Sequence, residues 1–264
     1  MGTGPPITST EQPVRTVSTT TRVSVEVRDG RHQVRTSAGL LRAQRLHGPA
    51  DRARVALVGQ TALLLGGDRV GLDIEVGPGA LLELSDIAGT VAYHGRGSAA
   101  SWHTSIRLGL GARVSYAGEP LILSDGSDVT RTLTVDLAEG AAARLRETLV
   151  FGRAGEVGGR VDASTVLRRE GAEFCRERLV LDPDARARPG VLSGVRVVDS
   201  VLVLDARPVE RRQGGTGSPV APTTARTSLA ATSDVVTYQL LEPGSSLSRY
   251  LGVDLAHSPL TDLA

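Results

Sequence analysis

The sequence predicts an all-β chain, a β-helical, solenoid-like stack of strand-turn-strand units about 30 residues long with one or two short helices. Three observations carry this expectation. The step Gly-Ala recurs four times, at Gly79-Ala80, Gly111-Ala112, Gly140-Ala141 and Gly171-Ala172, at intervals of 32, 29 and 31 residues. The first three copies each follow a stretch of strict alternation. These stretches set Val70, Leu72, Ile74 and Val76 against Arg69, Asp73 and Glu75; Trp102, Thr104, Ile106 and Leu108 against His103, Ser105 and Arg107; and Leu133, Val135 and Leu137 against Thr134 and Asp136. A period of two belongs to strands that lay one face on a core. Glycine at the step admits a positive φ, so each unit reads as strand, tight corner, strand.

Taken in order, residues 1–21 are rich in Thr, Ser and Pro and are expected to form a disordered tail ahead of a single β domain over 22–264. VSVEVRDGRHQVRT holds two alternating runs joined by Asp29-Gly30, a hairpin signal. The repeat region runs from Val55 to Leu181. Residues 182–194, with two prolines and alternating charges, suit a surface connection with a helical turn. VRVVDSVLVLD, 195–205, predicts one or two further strands, and residues 208–224 a flexible loop. VVTYQLLE, 235–242, predicts another strand, and Ser245 to Leu251 a short C-terminal helix.

Composition narrows function. Thirty basic residues stand against 29 acidic ones, so the chain has no basic footprint for nucleic acid or an anionic membrane. Seven aromatic residues offer neither a stacking platform for single strands nor the usual sugar platforms of a glycosidase. Lysine is absent, which excludes a P-loop, and no G-x-S-x-G elbow occurs. The N-terminus shows no apolar leader, and no run approaches the ~20 residues that span a bilayer. Cys175 is the single cysteine, expected as a small core residue in a reducing, cytoplasmic setting. The five histidines form no HxH, HxxH or HxxxH pair, and the phase of His103 points it outward. A stable metal-storage site is therefore not expected.

Carboxylates follow the repeat instead. After the last three Gly-Ala steps come Glu119, Glu147 and Glu177, each ahead of an apolar run, and stacking would bring them into rough register. Glu177, within REGAEFCRER, reads as the most ordinary surface residue of the three. A carbohydrate-active enzyme or binding protein on a β-solenoid, and an adhesin-like repeat protein, remain alternatives at this level.

An ordered set of motifs resembles the urease accessory protein D family, also called UreH. The set is Leu65-Gly66-Gly67-Asp68-Arg69-Val70, IEVGPGA at 74–80, Gly118-Glu119-Pro120-Leu121-Ile122, Val135 to Ala141, and Glu147 leading into Phe151-Gly152-Arg153-Ala154-Gly155-Glu156. The departures are TALLL ahead of Gly66, a reduced GTVAYHG at 89–95, and a C-terminus that lacks a longer amphipathic helix. The resemblance implies a non-enzymatic maturation factor with no tightly bound cofactor. It implies binding to accessory protein F, through F to the GTPase G, and docking on apo-urease, with Ni²⁺ in transit through this subunit. Asp68, Glu119, Glu147 and Glu156 are the candidate lining of that path. Gly66, Gly67, Gly79, Gly111, Gly140, Gly152 and Arg153 are the candidate structural motif.

Overall fold

The computed structural model of the chain describes residues 18–189, 192, 194–204, 227–228, 235–240, 242 and 244–261. The chain enters through β1 (Ser18–Arg28), β2 (Arg31–Ser37), β3 (Leu41–Arg45) and β4 (Ala53–Gly59). Rungs follow as β5 (Arg69–Val76), β6 (Leu81–Asp86) and β7 (Thr90–Ala92); then β8 (Ala100–Leu108), β9 (Arg113–Ala117) and β10 (Leu121–Leu123); then β11 (Asp128–Leu137) and β12 (Ala142–Phe151). Next come β13 (Arg160–Arg169), β14 (Ala172–Leu181), helix α1 (Pro183–Ala187) and β15 (Val197–Leu204). β16 (Thr227–Ser228), β17 (Val235–Gln239), β18 (Ser246–Gly252) and a 3-10 turn at Leu255–His257 complete the described elements.

Two sheets face each other. The first runs β14-β13-β11-β8-β5-β1-β2, and the second runs β16-β17-β18-β15-β12-β9-β6-β4-β3, with β7 and β10 attached beside β12. Successive rungs pair in parallel, β1 to β5 to β8 to β11 to β13 in one wall and β4 to β6 to β9 to β12 in the other. The result is a β-solenoid-like stack of about four turns. The alternation seen in the sequence becomes a set of ladders: Ile74 lies beside Ile106 and Ile106 beside Val135, all three without solvent exposure. Burying such residues contributes about 1.5–3 kcal/mol each, which is what fixes the inward face of each rung.

The Gly-Ala step has one backbone cause in its first three copies. Gly79, Gly111 and Gly140 have φ of 66°, 62° and 68° and sit at the third position of turns closed by Ala80 N–H to Gly77 O, Ala112 N–H to Gly109 O and Ala141 N–H to Ala138 O. That is the position where a type II turn requires a positive φ. The alanine that follows is fully buried each time, so it turns the chain from the first wall into the second. The turns also stack on one another, Gly79 N–H donating to Leu110 O and Gly111 N–H to Glu139 O.

The fourth copy is not a corner of the stack. Glu170 and Gly171 both have positive φ, 49° and 79°, as do Asp29 and Gly30, and two such residues in succession make the primed turn of an antiparallel hairpin. β13 and β14 therefore remain in one sheet, as β1 and β2 do.

Two other expectations are corrected. Ser18 to Thr21, read as part of the tail, belong to β1 and pair with Arg69 to Leu72, and the Thr21 hydroxyl is buried and donates to Leu41 O at 2.7 Å. Ser245 to Leu251 does not form a helix: Ser246–Gly252 is β18, because β15 and β17 flank it and take up its backbone groups on both edges. The helical turn falls in the connection instead, where Asp182 caps α1 by accepting from Ala185 N–H at 2.7 Å and Pro183 opens the first turn. Residues 1–17 and the loop expected at 208–224 lie outside the described residues.

Candidate functional site

The interior of the solenoid is not uniformly apolar. In the second sheet Ser85 pairs with Ala117 and Ala117 with Arg146, so Asp86, Gly118 and Glu147 are the next residues along three neighbouring strands. Glu147 pairs with Ser200 and Ser200 with Arg249. Asp86, Gly118, Glu147, Ser200 and Arg249 thus form one row across the second sheet, on the phase that otherwise carries Leu82, Leu84, Leu145, Leu149, Leu202 and Leu247. With strands about 4.8 Å apart, the row is about 19 Å long and runs along the axis of the stack.

Side chains from the opposite sheet and from β9 complete it. The Tyr116 hydroxyl donates to Asp86 Oδ1 at 3.0 Å, and Glu119 N–H donates to Asp86 Oδ2 at 3.1 Å. Burial pushes the Asp86 carboxyl up to about 6, against the lowering effect of those two hydrogen bonds. Arg131, from β11, reaches across to ion-pair with Glu147, its guanidinium carbon 5.2 Å from the centroid of the Trp102 ring. Beyond Glu147 lies a cavity of about 50 Å³, lined by leucines together with Glu147, Thr165, Cys175, Glu177, Ser200 and Arg249. At its far side Arg249 donates to both oxygens of Glu177 at 2.8 Å and to the Ser200 hydroxyl at 3.0 Å. Burial first, and then the nearby glutamates, hold the Cys175 thiol above its ordinary range, which disfavours the thiolate at this wall of the cavity.

The four carboxylates expected as path lining part company. Glu147 is in the row. Glu119 is exposed, and its backbone rather than its side chain reaches Asp86. Asp68 accepts Leu65 N–H at 3.0 Å and so ties the turn that contains Gly67, whose φ is 89°. Glu156 accepts Arg153 N–H at 2.8 Å and its guanidinium at 2.9 and 2.5 Å, and these hydrogen bonds from Arg153 draw its carboxyl down to about 2. Both turns sit on return corners of the stack. Glu177, read as ordinary surface, instead faces inward. Among the described residues no three His, Cys, Asp or Glu side chains converge as a metal-holding group.

Of the glycines singled out, Gly79, Gly111 and Gly140 form the corners, and Gly152 has φ of 79°. Gly66 matters for space: a Cβ there would stand 2.3 Å from Gly95 O. Asp86, Tyr116, Arg131 and Arg249 went unread in the sequence. Their signal is a polar residue on the inward phase of an alternating strand, such as Arg131 in the series Val129, Leu133, Val135, Leu137.

Comparison with known proteins decides what this architecture belongs to. The family described as UreD urease accessory protein matches residues 18–256. The chain belongs to the UreD family. The UreD 1 protein of Streptomyces griseus subsp. griseus is 46 % identical over 182 residues, covering 68 % of this chain and 71 % of that one. UreD 1 of Saccharopolyspora erythraea is 38 % identical over 191 residues, 71 % of this chain and 75 % of its own. UreD 3 of Streptomyces griseus subsp. griseus is 32 % identical over 228 residues, 82 % and 86 % of the two chains. Membership in a UreD family of accessory proteins makes this a maturation factor for urease rather than a catalyst. The carbohydrate-active alternative gains no support from the aromatics: Trp102, Tyr116, Phe151 and Tyr250 are buried, Phe174 and Tyr238 half-buried, and Tyr93 alone is exposed. No helix among the described residues is long and apolar enough to cross a membrane.

Proposed function

We propose that this UreD-family chain links apo-urease to accessory protein F and, through F, to the GTPase G, and that Ni²⁺ crosses the subunit along the inward polar row on its way to the urease active site. The observation that supports the passage is the row itself: Asp86, Glu147 and Glu177 face the interior of the solenoid together with Tyr116, Arg131, Ser200 and Arg249, among inward residues that are otherwise mostly apolar. Glu147 and Glu177 are each held by an arginine, whereas among the described residues Asp86 has only the Tyr116 hydroxyl and the Glu119 N–H; an inward carboxylate without a cation costs stability, so Asp86 calls for a purpose beyond folding. The donor set fits cargo in transit. Oxygen ligands hold a late first-row dication more weakly than imidazole or thiolate does, which favours release over storage. The proposal places the chain in the cytoplasm with its partners, and GTP hydrolysis in the partner.

The linking role is tested by reconstitution. Apo-urease, accessory protein F and the GTPase G are mixed with and without this chain and resolved by size. A single complex that needs this chain supports the role, and a urease–F–G complex that assembles equally well in its absence contradicts it.

A further inference from the structure

Resting on that nickel-passage reading, we propose that Arg131 is the gate of the row: its guanidinium, held on Glu147, blocks a divalent cation between Asp86 and the cavity beyond, and its transfer from Glu147 to Asp86 opens the way.

Position comes first. Asp86 and Glu147 lie two strands apart in the second sheet, with Gly118 on the strand between them. A Cβ at Gly118 would approach Asp86 Oδ2 at 3.9 Å and meet Arg146 O at 2.6 Å, so the step from one carboxylate to the other runs past bare backbone. Arg131 enters this step from the opposite wall. Trp102 stands beside it in the first sheet, in register, and supports the guanidinium from its ring face.

Charge comes second. A dication leaving Asp86 meets a fixed monocation in a poorly solvated interior, where like charges repel far more strongly than in water. Its next ligand, Glu147, is already occupied by that monocation. The cation cannot advance while the pair holds.

The third point is that Arg131 has a second partner within its electrostatic reach. Asp86 stands in the same row as Glu147, two strands away, and Arg131 faces that row from the opposite wall, yet the ion pair is made to Glu147. Among the described residues Asp86 is the carboxylate left to Tyr116 and the Glu119 N–H, without a cation of its own. A long, unbranched side chain lying against an aromatic face can exchange one carboxylate for the other while its charge stays on the ring. Arg131 is thus a positioning residue: it holds Glu147 closed, and moving off Glu147 frees that carboxylate for the cation.

The test uses the full chain in complex with accessory protein F, dialysed against ⁶³Ni²⁺ and then used to activate apo-urease. Arg131→Gln and Arg131→Met should each deliver nickel at least tenfold faster than wild type, and Arg131→Lys should behave as wild type. Adding Asp86→Asn to Arg131→Gln should abolish the gain. A wild-type measurement covers the case in which both substitutions prevent folding. Trp102 is the only tryptophan of the chain, so 5-fluorotryptophan labelling places one ¹⁹F reporter beneath the guanidinium, and its resonance should move when Ni²⁺ is added. Delivery at the wild-type rate by a folded Arg131→Gln or Arg131→Met complex, or a ¹⁹F resonance indifferent to excess nickel, overturns the gate. If Asp86→Asn alone slows delivery while the Arg131 variants match wild type, the gate fails and the passage stands. If Asp86→Asn also delivers normally, both fail.

Discussion

Arg146 closes on Asp199 with two parallel hydrogen bonds, Nε to Oδ1 at 3.0 Å and Nη2 to Oδ2 at 2.9 Å, on the outer side of the second sheet, and Asp199 is wholly buried. Thr148 and Ser258 donate to the same carboxylate at 2.8 and 2.5 Å. The pair therefore pins the segment after β18 onto β12 and β15, over a small apolar cluster of Val197, Val201, Tyr250 and Leu260. One satisfied buried charge thus anchors the segment that follows β18.

Burial raises the Asp199 carboxyl, and hydrogen bonds from Arg146, Ser258 and Thr148 more than offset this, leaving it below its ordinary value of 3.8. A carboxyl depressed in the folded state stabilises the fold above its unfolded pKa, and that contribution is lost as pH falls through the folded one. Asp199→Ala should cost about 3–5 kcal/mol at pH 7 by leaving Arg146 unpaired. The gap between wild type and variant should narrow below about pH 4. Urea midpoints across pH 3–7 measure both, and a gap independent of pH contradicts the assignment.

Asp86 has the opposite sign. Its folded pKa, about 6, lies above the ordinary 3.8, so between those values the folded chain binds more protons than the unfolded chain. Stability referred to Asp86→Asn should therefore rise as pH is lowered from 7.5 to 5. A difference that is flat over this range shows that the carboxyl is not enclosed as described. Tyr116 and Arg131 are the titratable or charged groups on its inward side, and the Glu119 carboxylate lies nearby at the surface.

Corner glycines and close-contact glycines should respond differently. Gly79 has φ of 66° and open space where a Cβ would go, so Gly79→Val should cost about 1–2 kcal/mol from backbone strain and lower soluble yield before any binding is affected. At Gly66 the φ is ordinary, but a Cβ would collide with Gly95 O at 2.3 Å. Gly66→Ala should accordingly destabilise more than Gly79→Ala, despite being the same change. Equal urea midpoints for the two would refute this.

Much of the fold was legible because each rung repeats two local signals, an alternating face and a glycine that must take positive φ. The fourth Gly-Ala step was misread because its glycine looks the same in sequence. Whether the chain turns a corner or a hairpin depends on Glu170, which joins Gly171 in the left-handed region. Ser245 to Leu251 reads as a helix in isolation because the segment is short and its edges are satisfied by β15, remote in the chain, and by β17. The polar row was less visible still. Asp86, Glu147, Ser200 and Arg249 are far apart in the chain, and stacking alone aligns them. Glu177 shows the limit most sharply, since alternating charges read as surface until Arg249 is seen to clasp it from the other sheet.

That clasp gives a fourth expectation. Arg249→Met should cost about 2 kcal/mol because Glu177 is left facing the cavity without its hydrogen bonds. Arg249→Met with Glu177→Met should recover much of the loss, since an apolar pair in an apolar cavity removes the unpaired charge. A double variant no more stable than the single would mean that Glu177 reaches solvent freely.

The passage itself is tested most directly by the nickel content of urease activated in vitro with the Asp86→Asn, Glu177→Gln double variant, with assembly of F, G and apo-urease confirmed in the same sample. The account predicts an intact complex and urease that carries markedly less nickel per active site than with wild type. Full nickel loading by an assembled double variant would contradict it.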